Sequence, residues 1–185
     1  MSNSGSMNSK PGPLEGSWLL TPKVHADLRG QFVESFQKDV FAKQTGLSID
    51  FIQDNEVVSE HDVVRGLHLQ KTPHAQAKLI RVVQGQIYDV AVDLRADSST
   101  YGEWFGVELS AENHTQLFLP KGFAHGYSVL SERAIVQYKV DSPYNPQAES
   151  GIRFDDPDLD IDWQVDNPKL SDKDQKLSFL KQLNP

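Results

Sequence analysis

The sequence predicts an all-β domain, a sandwich or barrel of short strands with a few short helices. Two observations lead there. From Trp18 onward, runs rich in Val, Ile, Leu, Phe and Tyr alternate with Gly, Pro, Asn and Asp, which is how many short strands joined by turns read in sequence. Helical patterning is scarce: only "QKDVFAKQTG" and, near the C-terminus, "SDKDQKLSFLKQL" read as short helices.

The elements follow in order. Residues 1–17, "MSNSGSMNSKPGPLEGS", are small, polar and rich in Gly and Pro, and are expected to form a disordered tail. The second methionine, Met7, marks the first six residues as a cloning remnant. Residues 18–185 then form one domain. In "AKLIRVVQGQIYDVAVDLR" the pair Gln84-Gly85 reads as a two-residue hairpin turn. Such a turn sets Ile80 opposite Asp89 and Lys78 opposite Ala91. Alternation then places Lys78, Ile80, Val82, Ile87, Asp89, Ala91 and Asp93 on one face, and Leu79, Val83, Tyr88, Val90, Val92 and Leu94 on the other. Lys78 and Asp89 become diagonal neighbours. In "TQLFLPKGFAHGYSVLSERAIVQYKV" a turn at Ser131-Glu132 sets His125 opposite Tyr138, on a face shared with Phe123, Tyr127, Val129, Ala134 and Val136. A histidine and a tyrosine on an apolar strand face suggest a pocket lined for chemistry.

Composition limits the function. The 185 residues suit one domain with a sizeable core. A net charge of −8 and a pI of about 5.1 argue against general affinity for nucleic acid or anionic membrane, both of which need a broad positive field. A small anionic ligand held by a few arginines stays open. With no cysteine there is no disulfide, no Cys-ligated zinc and no thiol nucleophile. No apolar run approaches the roughly 18 residues of a membrane span, and no signal-peptide pattern opens the chain; the expected compartment is the cytoplasm.

The chemistry turns on "RGLHLQ", Arg65 to Gln70. His68 has three readings: metal ligand, proton carrier or ordinary sheet histidine. The segment "LPKGFAHGY" has the Pro-x-Gly-x-x-His shape of the second motif of cupin barrels, whose first motif supplies two histidines one residue apart. Here that place reads His68-Leu69-Gln70, and glutamine is a poor ligand for a transition metal, so no metal is expected. The proton-carrier reading is favoured. Arg65-Gly66 precedes His68, and an imidazole titrates near neutral pH. Tyr138 can donate a proton, and Lys78 can stabilise an oxyanion. No cysteine and no Gly-x-Ser-x-Gly elbow supports a nucleophile. Asp174 lies three residues after Ser171, the spacing of a helix capping box, so a capping role is its plain reading. Arg29 and Glu34 read by themselves as a surface arginine and a strand-edge acid.

The segments "DLRGQFVESF", "FIQDNEVVS", "VVRGLHLQKTPHAQAKLIRVVQGQIYDVAVDLR", "STYGEWFGVELSAENHTQLFLPKGFAHGYSVLS", "YKVDSPYNPQAESGIRFDDPDLDIDW" and "LSDKD" occur in this order from Leu19 to Asp174. Together they resemble the dTDP-4-dehydrorhamnose 3,5-epimerases, metal-free cupins of nucleotide-sugar biosynthesis. The resemblance implies a cupin-type jelly-roll β-barrel, a homodimer with exchanged strands, and no cofactor. It implies conversion of dTDP-4-dehydro-6-deoxy-D-glucose to dTDP-4-dehydro-L-rhamnose. His68 then matches the base, Tyr138 the proton donor, Asp174 the carboxylate that orients the histidine, and Lys78 the group at the C4 carbonyl. Arg65, His125, Gln53, Asp54, Asn55, Glu149 and Lys173 match substrate contacts. Tyr144 matches a tyrosine that stacks on the nucleotide, and Arg29 and Glu34 match contacts near the dimer interface. Asp89 is left as a rival supporting acid beside Lys78. Where the family commonly reads Asn-x-Ser-x-Ser, this chain has Asn55-Glu56-Val57-Val58-Ser59. The lost hydroxyl at Val57 keeps open an epimerase acting at one carbon only; a catalytically idle binding module is a separate rival, against which the set His68, Lys78, Tyr138 and Asp174 argues.

Overall fold

The computed structural model describes residues 7–183. Two antiparallel sheets pack face to face. The first runs in the order β1 (Met7–Pro11), β2 (Trp18–Pro22), β10 (Gln116–Leu119), β7 (Lys78–Gln84), β12 (Arg133–Val140) and β5 (Gln53–Glu60). The second runs β13 (Glu149–Gly151), β6 (Val64–Gln70), β11 (Phe123–Val129), β8 (Gln86–Asp93) and β9 (Trp104–Ser110). A separate hairpin pairs β3 (Val24–Asp27) with β4 (Gly30–Val33). This is the jelly roll the sequence led us to expect, closing a core between two sheets.

The faces follow from alternation, and the pairings do not. Ile80, Val82, Ile87 and Ala91 share the inner core with Phe123, Tyr127, Val129, Ala134 and Val136, while Val90 and Val92 pack on the outside of the second sheet. Yet β7 and β8 are not paired. β7 lies between β10 and β12, and β8 lies between β11 and β9. Gly85, with φ +78° and the Arg133 carbonyl where a Cβ would lie, carries the chain from one sheet to the other. The Ser131-Glu132 turn likewise joins β11 of one sheet to β12 of the other. Neither expected hairpin is a ladder. Lys78 and Asp89, and His125 and Tyr138, therefore come from opposite walls.

All of β11 is buried, because both its faces are covered. Its inner side meets the core, and its outer side is roofed by the irregular segment 152–170, with Ile152, Leu159 and Trp163 in one cluster with Ala124. α1 (Lys38–Thr45) matches the first expected helix; Gln37 caps its start and Gly46, with φ +74°, ends it. Phe41 of α1 sits at the centre of an edge-to-face group with Phe51 and Phe118 on the outer side of the first sheet.

Two expectations change. The C-terminal stretch forms two single 3₁₀ turns, Asp174–Lys176 and Leu180–Gln182, rather than a helix. Residues 7–17 are not a disordered tail: β1 pairs with β2 over five positions, and Met7 and Leu14 are buried. Their polar composition hid an edge strand that is laddered to β2 and anchored by Met7. The first six residues lie outside the described ones. Among the described residues no helix is long and apolar enough to cross a membrane.

Candidate active site

Strict alternation would put Arg65 and His68, three residues apart, on opposite faces of β6. The ladder avoids this. Tyr127 pairs with Arg65 and His125 pairs with His68, so β6 carries one extra residue against β11, a β-bulge that lets both side chains point to the same side of the sheet. Gly66 makes the bulge possible. Its φ is +118°, and a Cβ there would lie 2.6 Å from the Gly126 Cα. Gly126 answers in kind, since a Cβ there would stand 2.5 Å from the Arg65 carbonyl. Two glycines back to back set the spacing of β6 and β11 at the site.

His68 and His125 then stand directly opposite each other on neighbouring strands, each held by a different acid. His68 Nε2 lies 2.7 Å from Asp174 Oδ1. The second oxygen of Asp174 accepts the Gly66 amide at 3.3 Å, and the Ser171 hydroxyl accepts the Asp174 amide at 3.1 Å. Half of a capping box thus forms, but the Asp174 carboxylate turns away from it to the histidine. Burial opposes charge on Asp174, yet the hydrogen bonds and the neighbouring His68 outweigh it and hold the carboxyl below its ordinary range. A ring nitrogen facing a carboxylate carries the proton, so His68 presents Nδ1 as its free lone pair.

His125 Nε2 lies 2.9 and 3.0 Å from the two oxygens of Asp89, and Asp89 is fully buried. Lys78, also buried, donates to the His68 carbonyl at 3.3 Å. Burial pushes its ammonium down to about 8, with the charges of Asp89 and Glu149 acting against the fall. Tyr138 enters from β12 and packs against the inner core. Burial raises its phenol above the usual tyrosine range, Arg65 opposing and Glu149 adding to the shift. The Arg65 Nε donates to Ser59 Oγ at 2.9 Å, and Ser59 is 3.3 Å from the Tyr127 hydroxyl. That tie joins β6 of one sheet to β5 of the other.

The rim holds three of the remaining expected residues. Glu149 takes Lys173 and the Tyr144 hydroxyl at 2.5 Å each, and lies near enough to His68 to feel its charge. Gln53 donates to Asn55 at 2.8 Å, and Asn55 is paired with Tyr138. Asp54 falls on the other face of β5, where Lys139 holds it at 2.8 Å. Arg29 and Glu34 are exposed and apart from this cluster; Arg29 bonds Asp27 at the tip of the β3–β4 hairpin. Gln70, at the place of a second cupin histidine, spends its amide on the His74 and Pro143 carbonyls and the Asn145 amide.

Sequence reasoning brought forward His68, Asp174, Lys78, Tyr138, His125 and Arg65, and these six do converge. It missed the Ser59–Tyr127 tie and the bond of Asp89 to His125, while the expected closeness of Asp89 to Lys78 appears as a charge that the ammonium feels. Ser59 had a signal: it lies on the Asn55 face of β5, four residues on. The Asp89–His125 pair was hidden because the expected hairpins did not set β8 beside β11.

The chain can then be compared with known proteins. The sequence pattern of the dTDP-4-dehydrorhamnose 3,5-epimerase family matches residues 11–182. A dTDP-4-dehydrorhamnose 3,5-epimerase of Methanothermobacter thermautotrophicus is 48% identical over 175 residues, covering 93% of each chain. A Bacillus anthracis enzyme of the same name, solved with TDP and pyrophosphate, superposes with a TM-score of 0.91 at 48% identity, covering 94% of this chain and 99% of that one. A dTDP-6-deoxy-D-glucose-3,5-epimerase of Legionella pneumophila, solved with dTDP-4-keto-L-rhamnose, gives a TM-score of 0.93 at 41% identity, covering 96% and 95%.

Proposed function

The chain belongs to the dTDP-4-dehydrorhamnose 3,5-epimerase family, and from that premise we propose how its residues divide the reaction. The protein is an isomerase of dTDP-rhamnose biosynthesis that inverts C3 and C5 of dTDP-4-dehydro-6-deoxy-D-glucose. The observation that carries the proposal is the placing of His68 and Tyr138 on different sheets. A ring bound between them meets a base on one face and an acid on the other, and inversion at carbon needs that arrangement.

In each half-reaction His68 Nδ1 removes the proton on a carbon beside the C4 ketone. The electron pair moves into the C4 oxygen, and Lys78 meets the charge that develops there. The Tyr138 hydroxyl then delivers its proton to the opposite face of the same carbon, and the ketone re-forms. His68 is left protonated and Tyr138 as phenolate, and proton exchange with solvent restores both. Asp174 fixes the proton on Nε2 and supports the charge His68 acquires. A buried lysine set near 8 suits the oxyanion role, and Tyr138, although burial makes it a weaker acid than an ordinary tyrosine, is still far more acidic than the carbon it protonates. Each positioned acid or base contributes about 10²–10⁴-fold.

Arg65, His125, Gln53, Asn55, Lys173 and Glu149 form the substrate contacts, and Tyr144 on the rim stacks on the base. Arg29 and Glu34 reach the site of a second copy in a homodimer. Supporting this, the β3–β4 hairpin projects Leu28 and Phe32 into solvent, and its arginine is remote from the cluster in its own chain. A charged nucleotide sugar does not cross a bilayer unaided, so the enzyme is placed in the cytoplasm beside its substrate.

The test is solvent exchange. The protein is incubated with dTDP-4-dehydro-6-deoxy-D-glucose in D₂O and the sugar protons are followed by NMR. Deuterium at C3 and C5 with conversion to the L-rhamno product is expected. Deuterium at one carbon alone makes it a single-site epimerase. No exchange, from folded protein that binds dTDP, overturns the catalytic reading.

A further inference from the structure

Asp89 has no part in the proton transfers above, yet its setting is unusual. It is the acid at the middle of the inner face of β8, between Ile87 and Ala91, and it is fully buried. An isolated carboxylate there is costly and persists only when paired and hydrogen-bonded. Both its oxygens face a single ring nitrogen, His125 Nε2. Among the described residues His125 Nδ1 has no hydrogen-bond partner. The other inner acid of β8, Asp93, is fully occupied by Arg95, Ser98 and Thr100, so it cannot stand in for Asp89. Lys78, across the barrel on β7, feels Asp89 as the first of two opposing charges.

Building on the proposed reaction, we propose that Asp89 is the positioning residue of the carbonyl side of the site. Its carboxylate fixes the proton of His125 on Nε2 and aims Nδ1 at the cavity, and it keeps an anion opposite Lys78. One buried acid thereby sets the orientation of one substrate-contacting group and the charge of another. His68 and His125 become a matched pair of carboxylate-held imidazoles, one turned to the carbon and one to the ligand's polar groups. The plain alternative is that Asp89 only satisfies a buried histidine. The two differ in what reaches Lys78.

The groups that act on Lys78 are the His68 carbonyl on β6, which accepts from it, Asp89 on β8 and Glu149 on β13. Asp89 and Glu149 are the anions among them. Removing Asp89 leaves Glu149 alone against the desolvation of the ammonium, so Lys78 loses its proton at lower pH.

The experiment compares Asp89→Asn with the wild type in epimerisation rate across pH, with ¹⁵N-histidine spectra of the wild type beside it. We expect kcat of the variant to fall about 10–100-fold, by analogy with carboxylates that orient metal-bound histidines. We expect the basic limb, near pH 8 in the wild type, to move to lower pH. We expect the wild-type spectrum to show His125 protonated at Nε2. Wild-type kcat in the variant, or a lower kcat with an unmoved basic limb, overturns the proposal, since general damage gives the second pattern. If the variant does not fold, the wild-type spectrum decides: His125 protonated at Nδ1 alone overturns it. A wild type with no turnover sinks the epimerase reading instead, and the histidine spectrum still tests the role of Asp89.

Discussion

His68 and His125 face each other across one rung of the β6–β11 ladder, and each turns its Nε2 to a different buried carboxylate, Asp174 at 2.7 Å and Asp89 at 2.9 Å. The two acids come from distant parts of the chain. Because each imidazole is locked at one nitrogen, each offers the other nitrogen in a fixed direction. The predictions below test what that geometry does.

Asp174→Asn keeps the size of the side chain and can keep a partner for the Gly66 amide, but it loses the charge and can reverse the proton arrangement on His68. Turnover should drop by about 10²–10⁴-fold with little change in the melting curve. Steady-state rates together with the ¹⁵N signals of His68 check this. A variant with wild-type kcat would show that Asp174 is only a cap.

Tyr138→Phe should separate exchange from inversion. His68 can still remove a proton and, after trading it for solvent deuterium, return it to the same face. Deuterium should therefore enter the starting sugar while product formation falls sharply. Product at the wild-type rate would remove Tyr138 from the reaction.

Lys78→Met should cost activity and add stability. The folded protein holds Lys78 near 8 against an ordinary value of 10.5. At pH below 8 the unfolded and folded states both carry the proton, and burial of the charge destabilises the fold by on the order of 3 kcal/mol. Between about 8 and 10.5 the unfolded state binds more protons, so this penalty fades as pH rises. Methionine, similar in length and uncharged, removes it. Chemical denaturation at pH 7 should show the variant more stable than the wild type, with kcat lowered about 10²–10³-fold. A less stable variant would mean that the lysine is compensated better than its surroundings suggest.

Gly126→Ala drives a methyl group toward the Arg65 carbonyl, 2.5 Å away. The two strands must part, at a cost of about 1–3 kcal/mol, and His68 and His125 should move with them. Urea unfolding and kcat should fall together. Unchanged stability would show that the bulge adapts freely.

Much of the fold was legible because alternation is local. Ile80, Val82, Ile87 and Ala91 reached the inner core as their sequence parity required, whatever strands they paired with. The pairings were not legible, because Gly85 and the Ser131-Glu132 turn look like hairpin turns and act as crossings between sheets. That is a property of the whole topology, which no short window contains. β1 was missed for a related reason: a polar edge strand such as "MNSKP" has no apolar pattern to show. Of the site, His68, Lys78 and Tyr138 were readable from their types, while Arg65, His125 and Asp174 received their roles through the family resemblance that the ordered segments carry. The Asp89–His125 pair was not, since it depends on β8 and β11 lying side by side. Asp174 was half readable, because its spacing to Ser171 does make a cap while its carboxylate goes elsewhere.

The division of base and acid between two sheets has a consequence for how this protein loses function. Each sheet keeps its own ladder hydrogen bonds and its own far-ultraviolet signal, but His68 and Tyr138 share a sugar only while the sandwich holds its spacing. An expanded state that retains secondary structure and loosens packing should thus be inactive. On gradual denaturation, epimerisation should vanish with the near-ultraviolet signal, which reports side-chain packing, and ahead of the backbone signal wherever the two separate. In such a state, turnover acts as a ruler for the gap between the sheets.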